Sequence, residues 1–142
     1  FRATFTACLR YSRKRESALK QAKLGHVEFE KLIAGSLQAE RLIAESFSFQ
    51  RPSIIAKNFG YVDSKIDIAA ILRKPYRGRK ESLFDLIENI VNDRNQLVHT
   101  GEININLFDA KLRALFVDLT QAVDRAYQHI AKQSNFDPIY DY

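Results

Sequence analysis

Apolar residues recur at helical spacing through most of the chain. The clearest stripe lies in 81–101, where Leu83, Leu86, Ile87, Ile90, Val91, Leu97 and Val98 share one arc, at about 100° per residue. Ser82 can accept a bond from a free backbone N–H, with Asp85 three residues on in the capping-box position. Thr100-Gly101 is a natural stop, since glycine takes the left-handed conformation that ends helices. A second stripe, Phe108, Leu112, Leu115, Leu119, Val123, Ala126 and Ile130, predicts a helix over 107–133 with Asn106 as its cap. Upstream, Phe29, Leu32, Ile33, Leu37, Ile43, Ala44 and Phe47 predict one long helix over 26–49. Gly35 falls inside it, at a cost of about 1 kcal/mol relative to alanine, and is read as a point of close packing. Residues 1–24 carry an interrupted stripe of Phe1, Phe5, Cys8 or Leu9, Leu19 and Ala22, and Gly25 follows as a break.

Between these runs, Pro52 ends one helix and Ser53 starts a short one over 53–58 that closes near Gly60. Another helix is predicted over 65–73, stopped by Pro75. The connection 101–106 alternates polar and apolar residues but is too short for a strand, and the tail 134–142 is expected to be irregular. The fold class expected is all-α: a compact bundle of about five to six helices, one domain over 1–142, with the last two helices as an antiparallel core pair. No apolar run is long enough to span a bilayer, and no membrane partner is expected. No h-region of a secretory signal is visible. Because the chain starts at Phe1, it is expected to be processed or part of something longer. The single cysteine, Cys8, has no internal disulfide partner, so a reducing, cytoplasmic setting is expected; Cys8 itself reads as core.

Charge changes the picture. The net charge is +5, and it is unevenly spread. Residues 1–24 hold Arg2, Arg10, Arg13, Lys14, Arg15, Lys20 and Lys23 against Glu16 alone; residues 73–80 hold Arg73, Lys74, Arg77, Arg79 and Lys80 with no acid. Two basic clusters on an otherwise mildly acidic chain fit a polyanionic partner, most simply nucleic acid. They equally fit solvated surfaces. Tyr76, inside the second cluster, could stack on a base or anchor the loop to the core.

The least ordinary position is Arg94. It sits near the middle of the apolar arc of 81–101, where a leucine would be expected, and an arginine there is costly to bury unless paired or facing a shared cleft. Beside it Glu88, Asn92, Asn95 and His99 form a polar column at i, i+4, i+7 and i+11. Arg94 could pair with Glu88, Asp85 or Asp93, and His99 could be a helix-end cation. His129, near the end of the last helix, has the same simple explanation.

The run Arg94-Asn95-Gln96-Leu97-Val98-His99 resembles the Arg-x(4–6)-His motif of HEPN domains, often written Arg-Asn-x-x-x-His. The preceding apolar helix and the trailing Thr-Gly-Glu add to the likeness, whose specific part covers 83–102. The resemblance implies a small helical bundle and a metal-independent endoribonuclease without cofactor, acting on RNA from a site built at a homodimer interface. Arg94, Asn95 and His99 would be its catalytic residues, with Arg73, Lys74, Tyr76, Arg77, Arg79 and Lys80 as RNA contacts. It further implies a toxin–antitoxin or antiviral-defence setting, with a regulatory protein or antitoxin as partner. Some members of the family keep only a binding or assembly role.

The chemistry of the residues agrees with that expectation. RNA carries its own nucleophile, the ribose 2′-OH. Cleavage needs a base, an acid and a cation for the charged phosphorane. Histidine titrates near neutral pH and serves as either acid or base, arginine forks onto phosphate oxygens, and asparagine can orient either. An ideal helix places Arg94 and His99 about 140° apart. They meet only through the arginine's length, through distortion of the last turn, or across two subunits. Other classes find little support: no CxxC or HExxH appears for zinc, and there is no glycine-rich phosphate loop.

Overall fold

A computed structural model of the chain describes residues 1–12, 15–36, 38–101 and 109–135, without the side chains of 15 and 109–112. Arg13, Lys14, Leu37, Glu102, the cap at Asn106, Phe108, the connection 102–106 and most of the tail lie outside the described residues, as does the side chain of Leu112. Among the described residues the fold is all-helical: α1 (Arg2–Tyr11), α2 (Arg15–Gln21), α3 (His26–Ile33), α4 (Ala39–Glu45), α5 (Pro52–Val62), α6 (Ile68–Leu72), α7 (Leu83–Thr100) and α8 (Asp109–Ser134).

The extra helices arise where long predicted ones are broken. The helix expected over 26–49 ends at Ile33, because Gly35 takes φ +64°. Its N–H bonds to the Leu32 carbonyl at 3.1 Å and the Ser36 N–H to the Lys31 carbonyl at 3.1 Å. These two bonds are the Schellman pattern that closes a helix C-terminus. The close-packing reading of Gly35 is therefore corrected: an added Cβ would meet nothing within 4 Å. The helix expected over residues 1–24 is likewise split. Ser12 caps α1 in an extended conformation (ψ 133°), and its hydroxyl donates to the Val62 carbonyl at 3.0 Å. Conversely, α5 runs through Gly60 to Val62, longer than expected.

The chain divides into two compact units, Phe1–Gln50 with Ile54–Asp67, and Arg51–Ser53 with Ile68–Tyr142. In the first, α1 packs on α4 around Phe5, which is fully buried. The Phe5 ring centroid lies 5.3 Å from those of Phe47, Phe49 and Phe59, within the range of favourable aromatic pairing. Cys8 is buried beside Leu9, as expected of core. The stripe of α3 behaves differently: no residue of that helix is buried, and Phe29 and Ile33 are exposed. In the second unit α6 and α7 both pack on α8, around Ile68, Leu72, Tyr76, Leu83, Phe84, Ala122, Ala126 and Ile130. No described helix is long and apolar enough to cross a membrane.

Candidate functional site

Both ends of α7 are built as its sequence dictates. The Ser82 hydroxyl accepts the Asp85 N–H at 3.1 Å and donates to the Asp85 carboxylate at 2.6 Å. Gly101 closes the helix at φ 71°, its N–H bonded to the Leu97 carbonyl at 2.9 Å. Between these caps the helix is unbroken, so distortion of the last turn does not bring Arg94 and His99 together.

The apolar stripe of α7 changes environment along its length. Leu83 and Phe84 are buried at its start, whereas Val98 is 70% exposed near its end. Arg94 is exposed between them, so no charge is buried on the stripe. On α8, Phe116 is 67% and Val123 52% exposed. The second unit thus presents uncovered apolar side chains on the two helices that also make its core.

The polar column divides in two. The Glu88 carboxylate accepts from Arg51 at 3.3 Å and from the Ser53 backbone N–H at 2.8 Å, and Arg51 also donates to the Asn92 side-chain oxygen at 2.7 Å. Burial alone would raise the Glu88 pKa; the Ser53 and Arg51 hydrogen bonds outweigh it and hold the carboxyl below its ordinary value. This half of the column is structural: Glu88 is held by Arg51 and Ser53 and Asp85 by Ser82, and among the described residues none of Glu88, Asp85 and Asp93 pairs with Arg94. Asn95 and His99 form the other half, one helical turn apart, with His99 exposed and Asn95 half-buried. Among the described residues Arg94, Asn95 and His99 make no ion pair or side-chain hydrogen bond with the protein. They are polar groups held on a rigid helix and left available.

The basic segment after α6 is used mostly by the protein itself. The Arg73 guanidinium stacks over the Phe84 ring at 4.1 Å. Arg79 pairs with the buried carboxylate of Asp118. Tyr76 is only 3% exposed, with Arg77, Arg79 and Arg125 ranged over its ring at 5.2, 5.8 and 5.1 Å. Of its two readings, anchoring is the one observed, and a ring so covered has no open face for a base. Arg77 and Gly78 both take positive φ, 49° and 65°, and the Arg79 N–H closes the turn on the Tyr76 carbonyl at 3.0 Å. Lys74 and Lys80 remain exposed, as does Arg77.

Sequence reasoning missed Arg51 and Arg125. Arg51 bonds the polar column across a sequence separation no pattern reveals. Arg125 was more accessible: with His129 and Lys132 it forms an i, i+4, i+7 column on the last helix. Among the described residues, no group of three or more His, Cys, Asp or Glu side chains is placed to hold a metal ion. Against protein-family models, curated proteins and solved structures, the chain finds no match.

Proposed function

We propose that the protein is a HEPN-like, metal-independent endoribonuclease whose site pairs Arg94, Asn95 and His99 with the same residues of a second copy. The observation that carries this reading is the placement of the three residues on one unbroken helix, Arg94 and His99 open to solvent and Asn95 half-buried, beside a stripe whose Val98 is uncovered. A catalytic arginine and histidine must be free of internal partners to meet a phosphate, and among the described residues these have none. The stripe around them would be covered by a second α7.

In the proposed reaction the ribose 2′-oxygen attacks the adjacent phosphorus as one His99 removes its proton. The P–O5′ bond then breaks as the other His99 protonates the departing oxygen. Arg94 forks onto the non-bridging oxygens and stabilises the phosphorane charge. Asn95, one turn before His99, holds the phosphate or the imidazole. The products are a 2′,3′-cyclic phosphate and a 5′-hydroxyl. One chain supplies one such histidine, so acid and base together require two chains. A toxin or defence effector held in check by a partner protein fits an activity of this kind in a cell that must protect its own RNA.

A second reading, a non-catalytic module for RNA binding or protein assembly, is favoured by α3, whose exposed Phe29 and Ile33 offer a contact surface that owes nothing to the motif residues. Incubation with single-stranded and transfer RNA in excess EDTA decides between the two. Cleavage by the wild type and not by His99→Ala, leaving cyclic-phosphate ends, supports the nuclease. RNA binding or dimerisation that survives His99→Ala, with no cleavage by either protein, supports the module.

A further inference from the structure

The second unit holds a cleft of about 700 Å³ between the end of α6, the 74–75 segment and the last turns of α8. Its polar wall is Lys74, Arg125, Gln128, His129, Lys132 and Gln133, and among the described residues no carboxylate lines it. Arg125 is fixed in place: its guanidinium donates to the Lys74 and Pro75 carbonyls, each at 3.3 Å, and lies 5.1 Å from the Tyr76 ring centroid. Those acceptors are neutral, so they orient the guanidinium without cancelling its charge, and they occupy two of its five donors. Helix-dipole complementarity explains Lys132 in the last turn of α8. It does not explain Arg125, more than two turns from that end, or Lys74, which is on another segment.

We propose that this cleft is a phosphate-binding site, separate from Arg94 and His99. A planar, pre-oriented guanidinium with two lysines and two amides around an open volume suits a tetrahedral oxyanion bearing two charges. Arg73, adjacent to Lys74, rests on Phe84 in the first turn of α7. His99 is in the last turn of this 18-residue helix, which is about 27 Å long. The cleft and the motif are therefore at opposite ends of α7, and the proposal stands whether or not the motif cleaves RNA.

The test is titration calorimetry of the full chain with inorganic phosphate, pyrophosphate and a short 2′-O-methyl RNA, which cannot be cleaved by 2′-attack. The proteins compared are wild type, Lys74→Gln, Lys132→Gln and His99→Ala. Both lysines are exposed, so their variants are expected to fold as wild type does, which circular dichroism checks; Arg125→Gln is added as a third. Saturable pyrophosphate binding that weakens about tenfold in each lysine variant and is unchanged in His99→Ala supports the site. RNA binding with the same lysine sensitivity identifies a strand phosphate as the ligand; its absence identifies a free phosphorylated small molecule. Pyrophosphate binding indifferent to both lysines, or no saturable binding of phosphate or pyrophosphate up to about 10 mM, overturns the proposal.

Discussion

The Glu88 carboxylate accepts the backbone N–H of Ser53 at 2.8 Å. A side chain of α7 thereby satisfies a donor at the first turn of α5, which no residue of its own helix can reach. Glu88→Ala removes this bond and leaves Arg51 without its carboxylate, and is expected to cost about 1–2 kcal/mol. Glu88→Gln keeps an acceptor and should cost less. The pH dependence has a definite sign. The folded pKa of Glu88 is depressed, so its stabilisation is present above the ordinary carboxylate pKa and is lost as pH falls through the lower folded value. Urea midpoints at about pH 7 and about pH 3 should show the gap between wild type and Glu88→Gln shrinking in acid. A constant gap would mean that the charge contributes nothing.

Asp118 and Arg79 form a pair with unequal environments, the carboxylate side chain 2% exposed and the guanidinium 39%. Removing the outer partner strands a charge in the core; removing the inner one returns an arginine to water. Arg79→Gln should therefore destabilise by about 2–4 kcal/mol and Asp118→Asn by distinctly less. The double variant should be closer to Asp118→Asn than to the sum of the two. Thermal unfolding of the three proteins reads this directly, and additive losses would show that the two side chains are not coupled.

The helices that the sequence reveals most clearly are those with both caps and stripe local to the segment. α7 was legible from Ser82 to Gly101 because Ser82, Asp85 and Gly101 act on their own neighbours. The 26–49 segment was not, because a continuous period hid a left-handed glycine, and periodicity does not report φ. The stripe of α3 was legible as a pattern and misleading as a location, since amphipathicity says which face is apolar and not what covers it. Arg94 shows the same limit in a more useful form. Its place on the apolar arc was visible in the sequence, but that the arc leaves the core before reaching it depends on how α7 packs on α8. The basic segment 73–80 read as one surface; Phe84, Asp118 and Tyr76 divide it, and each of those contacts is long-range or depends on the loop geometry.

Gly35 and Gly60 should respond to alanine with opposite signs. At φ +64° an L-residue at 35 is strained in any space, and Gly35→Ala is expected to cost about 1 kcal/mol. Gly60 lies inside α5 with nothing within 4 Å of an added Cβ. There alanine only removes backbone entropy from the unfolded chain, and Gly60→Ala should stabilise by about 0.5–1 kcal/mol. Calorimetric melting of the two variants checks both signs. Destabilisation by Gly60→Ala would mean that the open space beside it is filled in solution.

Val98 gives the proposed pairing of motif helices its sharpest test. At 70% exposure it contributes little to the stability of a single chain, so Val98→Glu should leave the folded monomer within about 0.5 kcal/mol of wild type. In a two-fold interface each copy would meet the other, and two carboxylates would be desolvated against apolar surface and each other. Dimerisation should then weaken by at least about tenfold, and RNA cleavage should fall with it, although neither Arg94 nor His99 has been touched. Sedimentation velocity, read beside cleavage at matched protein concentrations, separates the possibilities. Loss of the dimer with loss of cleavage places the working site between copies, and raising the protein concentration should restore both together. Loss of the dimer with cleavage intact would confine the chemistry to one chain, which would then need a base other than a second His99. An intact dimer would move the interface off this face of α7.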